Sequence, residues 1–135
     1  MSNDTHYGFT KIVVDDLDRM AAFYQQVFGY RQMQRVHSAV AGEPIEEIIL
    51  VQGEDWGQSL PLVVWKWTQR AAPSATDAIL GYQTANVDAL VERVVAAGGA
   101  VVDAPHDMAE HGVRVAFAKD PDGRLLELVQ MLAAV

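Results

Sequence analysis

Ile12-Val13-Val14-Asp15-Asp16-Leu17 begins the stretch of sequence that decides the fold, and Ala22-Phe23-Tyr24-Gln25-Gln26-Val27-Phe28-Gly29 completes it. The run Phe9–Val14 predicts a strand, after which Asp15 or Asp16 can cap a helix. Gly29 provides the stop signal of that helix. The apolar residues between cap and stop recur at helical spacing: Leu17, Met20, Ala21, Phe23, Tyr24, Val27 and Phe28.

The same order of elements recurs 70 residues later, with little identity. Asp16-Leu17-Asp18 falls on Asn86-Val87-Asp88, and Gly29 falls on Gly99. Ala78–Thr84 predicts a strand, and Asn86 a helix cap. The predicted helix carries its apolar face on Val87, Leu90, Val91, Val94 and Val95 and stops at Gly98-Gly99.

Three β-rich runs follow each predicted helix. They are Tyr30–Val36, Ile45–Val51 and Leu60–Trp67 in the first copy, and Ala100–Asp103, Val113–Ala118 and Arg124–Met131 in the second, with turns or loops at Ala39–Pro44 and Glu54–Gly57. Asp120-Pro121-Asp122-Gly123 suits a type I turn. We therefore predict one α+β domain over residues 1–135, built from two βαβββ modules. Module 1 covers about residues 6–70, a linker about 71–76, and module 2 about 77–132.

Composition excludes several classes of protein. The chain has 135 residues, 50% of them hydrophobic, with a net charge of -8 and no Cys. An acidic surface argues against a nucleic-acid or anionic-membrane partner. Without Cys, the chain has no disulfide scaffold, thiolate metal site or Cys nucleophile. It has no Gly-rich phosphate loop, and the polar start is not a secretory signal, so a cytoplasmic protein is expected.

These motifs resemble the vicinal oxygen chelate superfamily, which includes glyoxalase I, bleomycin-resistance proteins and extradiol dioxygenases. The second module contributes Ala85-Asn86-Val87-Asp88 and Ala97-Gly98-Gly99 to the resemblance, and the C-terminal part contributes Asp120-Pro121-Asp122-Gly123-Arg124-Leu125-Leu126-Glu127-Leu128. The resemblance implies a sheet curled around a cavity, helices on its outer face and a homodimer. It also implies up to four metal ligands on strands one, four, five and eight.

Three of the four implied ligand positions carry apolar side chains. Carried over to this chain, the positions fall on Phe9, near Val64, on Ile79 and on Glu127. Phe, Val and Ile cannot coordinate a cation, and one carboxylate is too few for a tight site. We therefore expect no cofactor. The alternative is a divalent metal in a rearranged site, held by Glu127 with loop histidines or a partner chain.

Strand alternation predicts what the cavity holds instead. Ile12 and Val14 suit the helix side of strand one, which leaves Lys11 facing inward. Gln83 shares a face with Ile79, and Arg114 and Glu127 are expected on the cavity side of strands seven and eight. We predict that Lys11 or Arg114 pairs with Glu127. This pair is either a structural ion pair or a ligand site for a carboxylate, phenolate or carbonyl oxygen.

The tryptophans and two of the histidines each have two possible interpretations. Trp65 and Trp67 alternate around Lys66, so they either pack beneath the helices or stack on a ligand. Trp56 is either a lid or a dimer contact. His106 and His111 fall in a predicted loop, where a histidine is either solvated or a proton shuttle. Glu46 and Glu47 are adjacent and face opposite sides of a strand.

Three functions remain open. The first is metal-independent binding of a small organic molecule, of the bleomycin-resistance type. The second is a lyase, isomerase or epimerase acting next to a carbonyl, with Glu127 as base, Lys11 or Arg114 on the oxygen, and His111 as a further candidate. The third is an accessory module with a degenerate cavity. The predicted ligand-lining residues are Phe9, Lys11, Val64, Trp65, Ile79, Gln83, Arg114 and Glu127.

Overall fold

The computed structural model describes residues 5–54 and 59–133. Its contacts divide the chain into two compact units, residues 1–73 and 74–135. The division falls inside the segment predicted as a linker. Trp56, with both of its predicted roles, lies outside the described residues.

The first unit is a four-stranded mixed sheet with one helix. Its elements are β1 (Thr10–Val13), α1 (Leu17–Phe28), β2 (Arg31–Val40), β3 (Glu43–Val51) and β4 (Leu62–Trp67). The strand order is β1-β4-β3-β2. β1 runs parallel to β4, and the other neighbours are antiparallel. β4 therefore lies between β1 and β3, which brings residues of those two strands close together.

Helix α1 begins and ends where its sequence predicts. The Asp16 side chain accepts a hydrogen bond from the Arg19 backbone N–H at 3.1 Å, and Gly29 takes the left-handed conformation with φ 74°. Capping of this kind satisfies backbone groups that a helix end leaves without partners. The buried face of the helix consists of Leu17, Met20, Ala21, Phe23, Tyr24 and Val27.

The hairpin between β2 and β3 is tighter than predicted. β2 continues to Val40 and β3 starts at Glu43, so only Ala41 and Gly42 remain in the turn. Their φ values are 50° and 83°, and positive φ at both positions matches the twist of a two-residue hairpin. The turn lies inside the segment predicted as a turn or loop, Ala39–Pro44, but the two strands take up the rest of that segment. The predicted segment was too long because Ala41, unlike Asn or Asp, gives no signal for a two-residue turn.

The second unit repeats the arrangement. Its elements are β5 (Ile79–Gln83), α2 (Val87–Ala96), β6 (Ala100–Met108), β7 (Val113–Lys119) and β8 (Leu125–Met131), in the sheet order β5-β8-β7-β6. The Asn86 side chain caps α2 by accepting from the Ala89 N–H at 3.1 Å. The predicted α+β class with two βαβββ modules is therefore confirmed, as two four-stranded mixed sheets with one helix each.

Strand β6 extends through a segment that was predicted as a loop. It reaches Met108 and includes Pro105 and His106, with two register shifts against β7. Proline is tolerated there because β6 is an edge strand with one unpaired side. Proline and the irregular register hide this strand from a pattern search.

The two helices are short. They have 12 and 10 residues, and within the described ranges no helix is long and apolar enough to cross a membrane.

Candidate functional site

Strand register separates two faces of the first sheet. Ile12, Val64 and Ile48 are register partners and share one face. Arg35 is opposite Ile48 and reaches Asp18 in α1, so this face lies beneath the helix. Val64 is fully buried there. Its predicted position in the cavity lining was wrong, because β4 turns this residue toward α1.

The opposite face of this sheet carries a charged pair over an aromatic ring. We call this face, which presents Lys11, Glu47, Trp65 and Trp67, the far face of the first sheet. Lys11 Nζ donates a hydrogen bond to Glu47 Oε2 at 2.8 Å. The same Nζ lies 4.3 Å from the centre of the Trp65 ring. Lys11 on β1 thus extends across β4, above Trp65, to reach Glu47 on β3.

The pair is only partly exposed. Side-chain exposure is 35% for Lys11 and 12% for Glu47. A carboxylate that has lost most of its water needs a compensating charge, which the Lys11 ammonium supplies. A lysine over an indole face adds a cation–π attraction. This arrangement fixes a cation, a carboxylate and an indole within one small area.

The tryptophans lie opposite the helix. The prediction that they pack beneath it assumed that Lys66 could not point toward α1. In the structure Lys66 does so, donating from Nζ to the backbone oxygen of Asp15 at 2.7 Å. A long lysine stem allows this, because only the ammonium at its end needs a polar partner. Trp65 and Trp67 meet edge to face on the far face, with ring centres 5.2 Å apart.

Trp65 holds an unpaired donor. Its Nε1 is buried, and no hydrogen-bond partner for it exists in the described part of the chain. Arg70 lies over the neighbouring Trp67 ring, 4.0 Å from its centre, and pairs with Glu43 at 2.5 Å. The far face therefore combines an aromatic surface with charged groups at both ends.

The second sheet places Glu127 on the face away from α2. Leu126 and Leu128, on either side of Glu127 in the chain, are fully buried. Glu127 is opposite Gly81 on one neighbouring strand and Phe117 on the other. A Cβ at Gly81 would meet nothing within 4 Å, so there is space beside Glu127. We call the face of the second sheet that points away from α2 the far face of that sheet. Ile79 and Gln83 share it with Glu127, as alternation predicts.

Arg114 lies on the opposite side from its predicted position. Its guanidinium donates to both carboxylate oxygens of Asp88, in the first turn of α2, at 2.9 and 3.0 Å. It also donates to Asp107 Oδ1 at 3.0 Å. The prediction failed because Ala116 and Ala118, not Val113 and Phe117, occupy the space next to Leu128 and Leu126. Small residues suit the space beneath a helix, although their hydropathy is modest.

The predicted ion pair with Glu127 was therefore wrong. Lys11 bonds Glu47, and Arg114 bonds Asp88 and Asp107. No described residue forms a hydrogen bond or ion pair with Glu127. Sequence analysis missed Glu47 as a site residue, although alternation at Glu46 and Glu47 indicated that one of the two faces inward.

One arginine cluster lies at the start of each helix. Arg35 Nη1 bonds Asp18 at 2.6 Å, and its Nε bonds Glu46 at 2.6 Å. Asp88 with Arg114 repeats this arrangement in the second unit. The hydrogen bond from the Arg35 guanidinium lowers the pKa of Asp18, and that from Arg114 lowers the pKa of Asp88. The same bonds raise the pKa of each arginine. These clusters position helices and take no part in the far faces.

The two histidines considered as proton shuttles, His106 and His111, belong to the second unit, whereas Lys11 and Glu47 belong to the first. His106 is in strand β6, where its Nδ1 lies 2.9 Å from the Ala104 oxygen. His111 is in a short 3-10 turn, Ala109–His111, and is exposed. A proton-shuttle role for either residue stays a prediction.

Comparison with known proteins decides the family. The family model described as the Glyoxalase/Bleomycin resistance protein/Dioxygenase superfamily matches residues 6–128. The chain belongs to this superfamily. Lactoylglutathione lyase GLX1 of Arabidopsis thaliana is 33% identical over 122 residues, which are 87% of this chain and 41% of that protein. The chain thus spans less than half of that plant relative. A Vibrio cholerae protein named "Probable lactoylglutathione lyase" is 27% identical, over 90% of this chain and 87% of its own length.

Solved structures of the glyoxalase superfamily share the fold. A glyoxalase family protein from Bacillus cereus has a TM-score of 0.82 at 15% identity, covering 98% of this chain and 97% of its own. Glyoxalase I from Zea mays has a TM-score of 0.76 at 22% identity, covering 94% of this chain and 45% of its own. At such identities the likeness concerns the fold alone.

The residues on which the resemblance places the metal ligands do not fit a metal. In the first unit those positions fall on Phe9, beside Lys11, and near Val64, which is buried beneath α1. In the second unit they carry Ile79, which is 61% exposed, and Glu127. The described residues contain no group of three or more His, Cys, Asp or Glu side chains that could hold a metal ion.

Proposed function

We propose that this glyoxalase-superfamily chain binds a small organic molecule on the far face of its first sheet, without the superfamily's usual metal. The observation that carries the proposal is the Lys11–Glu47 ion pair above Trp65. Small-molecule sites are mostly aromatic and apolar, with a few polar groups at fixed positions. Lys11, Glu47, Trp65 and Trp67 match that description within one unit of the chain.

Metal independence is supported by donor chemistry. Glu127 is the one carboxylate at the four family positions, and the phenyl and aliphatic side chains at the other three offer no lone pair to a cation. On the far face of the first sheet, the Lys11 ammonium supplies a positive charge from the protein itself. A fixed ammonium can attract an oxygen of a ligand as a metal ion does, although it is a weaker electrophile.

Ligand titration with and without a chelator tests this proposal. Two naphthalene derivatives, 2-naphthoate and 2-(aminomethyl)naphthalene, serve as aromatic probes of opposite charge. We expect at least one to bind saturably and to shift backbone NMR signals of β1, β3 and β4, equally with or without EDTA. Absence of saturable binding by both probes, or shifts that EDTA abolishes, would contradict the proposal.

Matched lysine variants locate the binding. Lys11→Met should weaken binding at least tenfold, because it removes the ammonium next to the ring. Lys66→Met makes the same change one residue from Trp65, on the helix side of β4. It should leave binding unchanged. Equal effects of the two variants would mean that the probes bind elsewhere.

The surroundings of Glu127 favour a second function, that of an enzyme with this carboxylate as its base. This carboxylate has space beside Gly81 and no ion pair within the described residues. It can act as a base that takes a proton from a carbon next to a carbonyl, while the C–H electron pair forms a carbon–carbon double bond and the carbonyl π pair moves onto the oxygen. Return of the proton to the former carbonyl carbon completes the isomerisation. The relatives named lactoylglutathione lyase indicate a compound to test, the adduct of methylglyoxal and glutathione.

Single substitutions decide this second function. Glu127→Gln should retain binding of the adduct and lose formation of lactoylglutathione. Glu110→Gln, in the exposed turn before β7, is the control and should turn over normally. Full turnover by Glu127→Gln would show that Glu127 is not the base. If the wild type does not turn over the adduct, this second function is excluded and only the binding function remains.

A homodimer is the assembly that we propose for the chain. Its support is the family resemblance together with exposed apolar residues on β5, β6 and β8: Ile79, Val101, Val102 and Met131. Sedimentation velocity over a range of protein concentrations tests it, and a monomer at high concentration would refute it.

A further inference from the structure

The buried N–H of Trp65 has no acceptor among the described residues. Trp65 is 9% exposed, and its Nε1 has no hydrogen-bond partner in residues 5–54 and 59–133. A buried donor without an acceptor destabilises a folded protein, so such groups are rare and call for an explanation. The indole N–H is a donor only. Whatever satisfies it must therefore present an acceptor atom.

Lys11 adds further donors next to the same ring. Its Nζ lies 4.3 Å from the Trp65 ring centre, and one of its protons is used by Glu47. An ammonium group has three donors and no acceptor. Trp65 Nε1 and Lys11 Nζ thus both offer donors to a ligand on this face.

We propose that the ligand of the far face of the first sheet is an aromatic carboxylate. One carboxylate oxygen accepts the hydrogen bond from Trp65 Nε1, and the other contacts Lys11 Nζ. The aromatic part of the ligand lies near Trp67, whose ring meets that of Trp65 edge to face. This inference rests on the proposed function, because it names the class of ligand that the same face binds.

A pair of probes of opposite charge tests the ligand class. We expect 2-naphthoate to bind at least tenfold more tightly than 2-(aminomethyl)naphthalene. In the 15N-labelled full chain, 2-naphthoate should shift the Trp65 indole N–H signal downfield, as a new hydrogen bond to an anion would. Trp65→Phe identifies that signal by its loss, and it should weaken 2-naphthoate binding about tenfold.

The outcomes separate this inference from the proposed function. If the amine binds as tightly as the acid, or if Trp65→Phe binds 2-naphthoate as the wild type does, the carboxylate inference is overturned. The proposed function then stands, because a probe still binds the far face. If neither probe binds that face, both are overturned. Should Trp65→Phe fail to fold, the wild-type indole signal decides, since an unshifted signal at saturation excludes the hydrogen bond.

Discussion

For Lys11, alternation along the strand predicts the face of the sheet on which the side chain lies, but not its partner. Ile12 and Val14 are buried beneath α1, so Lys11 faces the other way, as the sequence predicts. Its partner was not predictable from the pattern. Glu47 lies 36 residues further along the chain and is brought to Lys11 by the order β1-β4-β3. Alternation therefore gives the face of a residue, whereas strand order gives its neighbours.

Trp65 and Arg114 show where reasoning about single residues fails. The interpretation that packs Trp65 beneath the helix assumed that Lys66 avoids the helix. Arg114 was placed on the cavity side because its neighbours, such as Val113 and Phe117, suited the helix side. Lys66 and Arg114 instead extend to oxygen atoms at the start of α1 and α2. A long basic side chain can lie on a helix-covered face if its charged end reaches the edge.

Removing the charge of Glu47 should strengthen anion binding. In Glu47→Gln, the Lys11 ammonium loses its carboxylate partner, and more of its charge is available to 2-naphthoate. We expect its affinity to rise severalfold in fluorescence or calorimetric titrations. Glu46→Gln, on the helix side of the same strand, is the matched control and should bind as the wild type does. Weaker binding in Glu47→Gln would mean that Glu47 itself contacts the ligand.

At the scale of elements, helix starts are the best-predicted feature. Asp16 and Asn86 cap α1 and α2 as expected, because a cap acts within three residues of itself. The hairpin turn at Ala41-Gly42 was predicted too long, and the length of β6 was missed. Both depend on pairing with a neighbouring strand, which no local pattern contains.

The helix-start ion pairs should give a small pH dependence. Arg35 lowers the pKa of Asp18 in the folded chain from its ordinary value of 3.8. The folded state then binds fewer protons than the unfolded state near that pH. The stabilisation is complete above the ordinary pKa and is lost as pH falls through the folded pKa.

Urea unfolding of Asp18→Asn at two pH values checks this dependence. At pH 7 the variant should unfold at slightly lower urea than the wild type, and below the folded pKa the difference should vanish. The effect is small because the pair is exposed. Asp77→Asn, on an exposed turn, is the control. A difference that grows as the pH falls would contradict the assigned sign.

Gly99 leaves no room for a side chain between α2 and its sheet. A Cβ there would lie 2.4 Å from the Lys119 oxygen and 2.6 Å from Val94 Cγ1. Gly99→Ala should therefore cost about 2–3 kcal/mol in the free energy of unfolding, because the backbone must move. Gly81→Ala, whose Cβ would meet nothing within 4 Å, is the matched control for equilibrium unfolding. Equal stability of the two variants would show that the contact relaxes easily.

At the scale of the whole molecule, donor chemistry predicts the response to metals. Three of the four positions implied by the family resemblance fall on Phe9, near Val64 and on Ile79, so the purified, untagged protein should carry no stoichiometric metal. Its melting temperature should not change on addition of Ni, Zn, Mn or Fe(II), because a tightly bound ligand would raise it. One tightly held metal per chain would indicate a site completed by histidines such as His106 or His111.

The sequence by itself determined the order of elements, both helix caps, the two-module repeat and the family. Each of these features depends on local periodicity or on motifs of a few residues. Only the tertiary structure decided that Lys11 pairs with Glu47 above Trp65, that Arg114 bonds Asp88, and that Val64 is buried beneath α1. Those contacts depend on strand order and register, which bring together residues tens of positions apart, and a one-residue change of register reverses every face.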